Sequence, residues 1–487
     1  MLNTNIYYLL GWAIGCLTAA MFFACIAAVG LGEWPQAGIM LVNTCVCGFI
    51  SGALIIGFRG RSERLNRYHT SVLLFLVWII LPIIAALPLF ALGGFRTIDQ
   101  AVFEAVSGLT TTGATVLDDL SVVPATVILW RAELQWFGGA ATLLTAVLVL
   151  APFGILSTPM NITIPGYERE DLAKSVVATA RHILPTYVLL TLLCFILLWL
   201  TGVPTFDAVC LSFAAISTGG FMPAEGNISA YGSVACELVL MFFMLVGATS
   251  FLAHRAVLLR VAGTHSDNQE TWYLAFVVLI AGSVLTTLLG LPGETQQGWQ
   301  AIRTGFFRGV SLLTTTGFDN GPAGSPGVPF ALILALCSIG GASFSTAGGL
   351  KIFRVFSMVT QAHRELKRLV HPRGITRANS AGKPIDIQIM KTIWSIFFAF
   401  LVAMAVVSIV LGAEGVPVGQ AVIAAVSSLT NTGPALHMTA LDVAKTSASF
   451  YGDLSTFPLL ALAGAMILGR IEFVVLLSLA LMIVTRR

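Results

Sequence analysis

The chain has 487 residues, of which 57% are hydrophobic and only 10% are charged, and its mean hydropathy is +0.90. Soluble domains need far more charged surface than this, so the composition indicates an integral membrane protein built from helices. The formal net charge of +3 carries little information as a total. The seven histidines are scattered over predicted loops without a cluster of acids or cysteines, which argues against an enzyme.

Apolar stretches of about 20 residues, the length that crosses a bilayer, recur along the chain. We predict ten spans, at 7–30, 36–58, 70–93, 124–152, 180–202, 230–253, 272–292, 328–347, 387–412 and 455–485. Shorter, half-apolar stretches of about 10 to 14 residues lie between some of them and are too short to cross, which predicts re-entrant segments. The fold class that follows is an all-α integral membrane protein.

Four of the short stretches resemble one another. They are IDQAVFEAVSGLTTTGAT around Gly113, FDAVCLSFAAISTGGF around Gly219, IRTGFFRGVSLLTTTGFD around Gly317 and VGQAVIAAVSSLTNTGPA around Gly433. Each has one apolar span before it and one after it. The pattern predicts four pseudo-symmetric span, pore helix, span repeats around a central pore, preceded by two extra transmembrane helices. We divide the chain into the two helices (1–68) and repeats at 69–160, 161–265, 266–380 and 381–487.

A single Thr-Gly turn is typical of a helix C-cap, in which glycine adopts the left-handed conformation. Four such turns, each closing a helix too short to span, favour a different interpretation. Four quasi-identical units around an axis would bring the turns together, and their inward carbonyls would form rings that replace the water around a dehydrated cation. The C-terminal ends of the short helices would add negative partial charge there.

Basic residues cluster in loops that fall on one side of the predicted topology, which is then cytoplasmic, with both termini. They are Arg59, Arg61, Arg64 and Arg67; Arg169, Lys174 and Arg181; His254, Arg255 and Arg260; Arg364, Lys367, Arg368, Arg373, Arg377 and Lys383; and Arg486 and Arg487. The opposite side is relatively acidic, with residues such as Asp118, Asp119 and Glu225. Ordinary solvated surface and a cation-attracting vestibule both explain it.

The four turns, together with WRAELQWFGG at 130–139, GGASFSTAGGLK at 340–351 and LKRLVHPRG at 366–374, resemble the Trk/Ktr/HKT superfamily of potassium transporters. The two extra N-terminal helices are similar to its bacterial TrkH-like branch. The resemblance covers essentially the whole chain. It implies potassium as the transported ion, no organic cofactor in this chain, a bacterial inner (cytoplasmic) membrane location, a homodimer and a cytosolic, nucleotide-binding, TrkA-like regulatory subunit. That subunit would contact the basic link around 361–377.

The resemblance also implies which residues form the selectivity filter. The glycines are Gly113, Gly219, Gly317 and Gly433, and the carbonyls of the preceding residues would be the potassium ligands: Thr111 and Thr112, Ser217 and Thr218, Thr315 and Thr316, and Asn431 and Thr432. Glycine at all four positions implies potassium selectivity. Because the turns continue differently, and Pro434 lacks a backbone donor, we expect the filter to depart from fourfold symmetry.

Two further features interrupt predicted spans. The segment 340–351, which we call the intramembrane loop, contains four glycines and several hydroxyl side chains. Close helix packing through small residues is one explanation. The resemblance implies a gate instead, formed by Gly340, Gly341, Ser345, Thr346, Gly348, Gly349 and Lys351, with Arg470 beside it in the pore. An arginine in mid-span is costly, so Arg470 should face water, an acid or free carbonyls. Ala342, Ser343 and Phe344 stand where relatives often have Cys-Ala-Gly, so we expect a stiffer loop with altered gating energetics.

Some residues keep two interpretations. Arg131 and Gln135 in WRAELQWFGG either anchor a span at the interface or brace the filter. Asp319 either attracts ions or braces its loop, and Asp99 and Asp207 are expected to cap short helices. For the whole chain, the alternative to channel-like permeation is a secondary transporter that couples potassium or another small solute to proton or sodium flux. Secondary transporters normally have inverted repeats, so four repeats in the same orientation, with their polar breaks at matching depth, favour permeation.

Overall fold

The computed structural model describes residues 4–60, 67–146, 172–258, 269–290, 298–322, 325–371, 379–380, 383–384, 387–439 and 450–471. Within these residues the regular structure is helical, apart from a short antiparallel ribbon of β1 (Asn379–Ser380) and β2 (Lys383–Pro384) in the link before the fourth repeat. The predicted all-helical membrane architecture is confirmed. Several residues of the topology argument lie outside the described ranges, namely Arg61, Arg64, Arg169, Arg260, Arg373, Arg377, Arg486 and Arg487.

The helices are, in chain order, α1 (Thr4–Gly30), α2 (Trp34–Gly57), α3 (Arg67–Leu92), α4 (Ile98–Leu109), α5 (Ala125–Thr145), α6 (Leu172–Leu200), α7 (Thr205–Ser217), α8 (Val234–Ala248), α9 (Phe251–Leu258), α10 (Gln269–Leu289), α11 (Trp299–Leu313), α12 (Phe330–Ile339), α13 (Ile352–Val370), α14 (Ile387–Ala413), α15 (Val418–Leu429) and α16 (Thr456–Ile471). Single 3-10 turns lie at Ile228–Tyr231 and Gly433–Leu436.

Among the described residues, six helices are long and apolar enough to cross a membrane: α1, α2, α3, α6, α10 and α14. The other predicted spans correspond to α5, which carries charged side chains, and to the shorter α8, α12 and α16. α12 has only 10 residues because the intramembrane loop ends it. The parts of the predicted spans 124–152 and 455–485 beyond residues 146 and 471 lie outside the described ranges.

The predicted short segments form α4, α7, α11 and α15, with 12, 13, 15 and 12 residues. Asp99 and Asp207 lie in the first turns of α4 and α7, where an acidic side chain complements the positive helix end as predicted, but they do not occupy the N-cap positions. The N-cap residues are Thr97 and Pro204, and neither makes a side-chain capping bond. Each aspartate lies in the first turn and accepts a hydrogen bond from another segment, Asp99 from Thr456 (2.8 Å) and Asp207 from Tyr231 (2.9 Å). These two hydrogen bonds connect the first turns of α4 and α7 to neighbouring segments of the chain.

The N-terminal hairpin of α1 and α2 packs on the first repeat. Glu33, between the two helices, accepts hydrogen bonds from the backbone amides of Ala125 (2.9 Å) and Thr126 (3.0 Å). These amides have no partner inside a helix, so the carboxylate caps α5 from outside its own segment. The hairpin is therefore fixed to the element that carries WRAELQWFGG.

Candidate functional site

The four Thr-Gly turns share one backbone conformation. Each short helix is followed by a non-glycine residue in the left-handed region: Thr111, Thr218, Thr315 and Asn431, with φ of 54°, 53°, 59° and 54°. Such values are uncommon outside glycine and concentrate at functional sites. The conformation directs the next residues away from the helix, and it identifies equivalent positions in the four turns.

The hydrogen bonds that close the helices give the same register. Backbone amides bond to carbonyls at the helix ends in the pairs Thr112–Ser107 (2.8 Å), Gly219–Ala214 (2.8 Å), Thr316–Ser311 (3.0 Å) and Thr432–Ser427 (2.8 Å). Gly219 is therefore equivalent to Thr112, and the equivalent of Gly113 is Gly220. Both Gly113 and Gly220 have positive φ, 81° and 79°.

The sequence-based register of the second turn was wrong by one residue. The turn reads Ser-Thr-Gly-Gly, and matching its first glycine to the glycine of Thr-Thr-Thr-Gly displaced the alignment. Ser217 is the last residue of α7, so the segment equivalent to Thr111–Gly113 begins at Thr218. The corrected second turn is Thr218, Gly219 and Gly220. All four equivalent positions are still glycine.

The four turns contact one another in cyclic order. A Cβ built on Gly113 would lie 2.1 Å from the carbonyl oxygen of Gly219, and one on Gly220 would lie 1.9 Å from that of Thr316. A Cβ built on Gly317 would lie 2.7 Å from the Pro434 ring, and one on Gly433 would lie 2.1 Å from the amide nitrogen of Ala114. The first turn thus contacts the second, the second contacts the third, the third contacts the fourth, and the fourth contacts the first. No side chain fits at these contacts.

The turns are braced from behind by hydroxyl groups. Hydroxyls two residues apart pair in the first, third and fourth turns, as Thr110–Thr112 (2.7 Å), Thr314–Thr316 (2.9 Å) and Thr430–Thr432 (3.1 Å). The second turn has Gly219 in place of that threonine. Gln135 of α5 compensates, because its Nε2 donates to the Gly219 carbonyl (2.7 Å) and its Oε1 accepts from the Phe221 amide (3.3 Å). The contacts support bracing as the role of Gln135.

The fourth turn departs from the other three, as Pro434 led us to expect. Gly433 begins a 3-10 turn, and its amide donates a hydrogen bond to the carbonyl of Thr112 in the neighbouring first turn (2.6 Å). The Asn431 side chain also donates to the Thr112 hydroxyl (3.0 Å). The Thr432 carbonyl accepts from the Ser427 hydroxyl (2.7 Å). These carbonyls keep a second lone pair, so bonding inside the protein leaves them one further ligand position.

Buried ion pairs brace the first and third turns with opposite polarity. In the first repeat, Glu104 of α4 pairs with Arg131 (2.6 Å) and accepts from the Val116 amide (3.0 Å). In the third repeat, Arg308 of α11 pairs with Asp319 (2.7 Å). Arg308 also donates to the carbonyl of Pro326 (2.7 Å). Asp319 therefore braces its loop. We did not predict a role for Glu104 from the sequence, although a charged residue within an apolar short helix could have indicated one.

The intramembrane loop lies against the turns. Its Gly348 amide donates to the Thr315 hydroxyl (2.7 Å), and its Thr346 hydroxyl donates to the carbonyls of Gly247 (2.9 Å) and Ile216 (3.0 Å). A Cβ on Gly348 would lie 1.9 Å from the Thr430 carbonyl. The loop thus touches the helix ends of the second, third and fourth repeats. Its non-helical backbone between α12 and α13 rules out an uninterrupted helix packed through small residues.

Arg470 is buried beside this loop, at 7% exposure. Its Nη2 donates to the hydroxyl of Thr111 in the first turn (2.6 Å). Arg470, Lys351 and the loop residues Ser345, Gly348 and Gly349 line one cavity of about 40 Å³. Lys351 donates to the carbonyl of Ala347. Arg470 therefore lies next to both the first turn and the intramembrane loop.

Residues 41–486 match the family model TrkH, a cation transport protein. The chain belongs to the TrkH family. It is similar to the Trk system potassium uptake proteins TrkH of Salmonella typhimurium (31% identity, covering 87% of this chain and 88% of the relative) and Vibrio parahaemolyticus (30%, 93% of each). Its fold matches the crystal structure of the potassium transporter TrkH from Vibrio parahaemolyticus with a TM-score of 0.86, 27% identity and 98% coverage of both chains.

Membership of the TrkH family makes this chain a multi-pass membrane transport protein and not an enzyme. WRAELQWFGG has a clear structural basis in this family member. Gly138 allows α5 to approach the end of the first short helix, since a Cβ there would lie 1.9 Å from the Leu109 carbonyl. Gly469 of α16 makes the same approach to Leu429 in the fourth repeat, at 2.2 Å. These close contacts pack the first short helix directly against α5 and the fourth directly against α16.

Asp119, between α4 and α5, and Glu225, after α7, are acidic side chains that interact with each other. Asp119 accepts hydrogen bonds from the Ser121 hydroxyl (2.6 Å) and amide (2.8 Å), which lower the pKa of its carboxyl. The hydrogen bond with Asp119 and the charge of that residue raise the pKa of the Glu225 carboxyl. Both are fully exposed, so they form a solvated acidic patch.

Proposed function

We propose that this TrkH-family chain is a potassium-selective uptake protein in which ions permeate as in a channel. The observation that carries the proposal is the closed ring of contacts between the four turns, each held in the same left-handed conformation. Several similar proteins are named potassium uptake proteins. The four repeats, with the boundaries given above, would surround a central pore, and potassium is the transported ion rather than a cofactor.

The filter would be formed by Thr111–Gly113, Thr218–Gly220, Thr315–Gly317 and Asn431–Gly433. Their carbonyl oxygens would replace the hydration shell of potassium. The C-terminal ends of α4, α7, α11 and α15 lead into the turns, so each adds negative partial charge that favours cations. Because the equivalent carbonyls of Thr112, Gly219 and Thr432 also accept internal hydrogen bonds, this level of the filter would bind ions less strongly than carbonyls without such bonds.

The intramembrane loop would be the gate. It contacts Thr315 through Gly348, and Arg470 reaches the first turn from the cavity on the same side. A guanidinium in the path of a cation would raise the electrostatic barrier, and a loop in contact with three repeats would obstruct the path physically. Opening would require the loop to leave the turns and Arg470 to move.

A cytosolic, nucleotide-binding, TrkA-like subunit would control the gate, and the chain would act as a homodimer in a bacterial inner membrane. The helix α13 supports a docked partner, since it continues directly from the intramembrane loop. Its distal half exposes Leu366, Leu369 and Val370 by 61% to 79%. Arg364 and Arg368 lie on the same half.

Rubidium and sodium uptake into proteoliposomes tests the proposal. The parent should take up rubidium in preference to sodium, and Gly317→Ser should lower that preference, because a Cβ at 317 meets Pro434 and distorts the third turn. Equal selectivity and flux in the two proteins would refute the filter assignment. Rubidium uptake that requires an imposed proton or sodium gradient would favour the coupled secondary transporter.

A further inference from the structure

Phe344 holds a strained conformation at the middle of the intramembrane loop. Its φ is 58°, in a region that a bulky side chain rarely occupies. A residue persists there only when its surroundings hold it, and such residues cluster at clamps and switches. The contacts on either side of Phe344 therefore bear directly on what its ring does.

The backbone on both sides of the ring is fixed to neighbouring helices. Glu270, in the first turn of α10, accepts a hydrogen bond from the Ser343 amide (2.6 Å). The carbonyl of Phe344 accepts from the Phe251 amide (3.2 Å), and the Ala342 amide donates to Ala248 (2.8 Å). Bonds from a backbone amide to a carboxylate are the strongest of this set. Glu270 is thus the main anchor adjoining the strained residue.

Other charges also act on the Glu270 carboxylate. Lys351 and Arg354 attract it electrostatically, and both lie at the junction of the loop with α13. In addition, Tyr273, one turn further along α10, stacks on Phe356 of α13 with ring centroids 4.1 Å apart. The start of α10 therefore contacts the loop and the helix that follows it.

The Phe344 ring lies where the cavity meets the apolar core. It is 8% exposed and belongs to the buried cluster that includes Ala342 and Ala347. It also lines the cavity shared by Arg470 and Lys351. A phenylalanine ring offers a cation no oxygen ligand and excludes water, and apolar constrictions close pores by this means.

We propose that Phe344 is the apolar barrier of the gate in this chain and that Glu270 is a positioning residue that holds it closed. The carboxylate fixes the Ser343 amide, and this contact keeps the neighbouring ring at the cavity. The inference rests on the proposed function, because it assumes that the cavity lies on the permeation path. It adds to that function two residues that the filter and the Arg470 barrier do not require.

The test is rubidium uptake by the purified full-length protein in liposomes without any partner. Phe344→Ala should raise uptake about tenfold, equivalent to about 1.4 kcal/mol of barrier. Phe344→Leu, which keeps the apolar bulk, should stay near the parent. Glu270→Ala should also raise uptake, whereas Glu270→Gln, which retains an acceptor for the Ser343 amide, should not. The double variant Phe344→Ala with Glu270→Ala should equal Phe344→Ala alone, because Glu270 acts through the ring.

Three results would overturn the inference: unchanged uptake in Phe344→Ala, equal increases in Glu270→Ala and Glu270→Gln, or additive effects in the double variant. The Glu270 variants leave the buried ring intact, so they test whether Glu270 holds the gate closed even if Phe344→Ala does not fold. If no variant and no parent protein conducts rubidium, the proposed function fails. If the parent conducts selectively and Phe344→Ala matches it, only the role of Phe344 fails.

Discussion

The hydroxyl of Thr315 accepts a hydrogen bond of 2.7 Å from the backbone amide of Gly348. This bond joins the third turn to the intramembrane loop. Gly348 also lies directly against the Thr430 carbonyl, so the loop cannot shift toward the turns. It can only move away, and doing so breaks the bond to Thr315. The third turn and the intramembrane loop are therefore coupled through the Thr315 side chain.

Replacing Thr315 by valine keeps the shape of the side chain and removes this acceptor. A buried amide without a partner costs about 1–3 kcal/mol, so the closed position of the loop is weakened. We expect Thr315→Val to raise basal rubidium uptake in proteoliposomes. Thr287→Val is the matched control, because the Thr287 hydroxyl is exposed and bonds within its own helix. Equal uptake in the two variants would contradict the coupling.

The corrected register of the second turn distinguishes two adjacent glycines. A Cβ on Gly220 would lie 1.9 Å from the backbone carbonyl of Thr316, which cannot move without the third turn. A Cβ on Gly219 would lie 2.4 Å from the Gln135 side chain, which can move more easily than backbone. We expect Gly220→Ala to lose the preference for rubidium over sodium and Gly219→Ala to retain most of it. The reverse order of effects would restore the original alignment.

The buried pair of Glu104 and Arg131 should be a large contributor to stability. Removing one partner leaves the other charge buried, at a cost of about 3–5 kcal/mol. Glu104→Ala should lower the thermal unfolding midpoint in detergent strongly. Arg368→Ala, which breaks an exposed pair with Glu365, should leave it unchanged. Similar midpoints for the two variants would show that the buried pair does not brace the first turn.

Arg470 is expected to hinder conduction in the closed state. Arg470→Ala removes its charge from the cavity and its bond to Thr111, so basal rubidium flux should rise. Arg470→Lys keeps the charge and should conduct less than Arg470→Ala. A well-folded Arg470→Ala protein with normal or lower flux would contradict a barrier role.

The sequence contained most of the architecture because the same short pattern occurs four times. Each copy ends in threonine or serine followed by glycine, which is poor material for continuing a membrane helix, so each copy indicated a turn. The second copy has two glycines in a row, and only the left-handed Thr218 and the bond from Gly219 to Ala214 resolve which one is equivalent to Gly113. Local sequence contains no such information.

Long-range partners could not be predicted in the same way. Arg470 was expected to need a polar partner, yet nothing in one sequence indicates Thr111, 359 positions away. The polarity of the braces is also reversed between repeats, with Glu104 in α4 and Arg308 in α11, so the sequence repeat hides their equivalence. Glu270 is an ordinary acid at a helix start until the fold brings Ser343 to it.

The central claim is that the four turns form one potassium filter. It is tested most directly by the ratio of rubidium to sodium uptake in proteoliposomes for four single variants, Gly113→Ser, Gly220→Ser, Gly317→Ser and Gly433→Ser. Every Cβ would press on a neighbouring turn, so each variant should lower the ratio. A variant that folds and keeps both the ratio and the flux of the parent would show that its turn is not part of the filter.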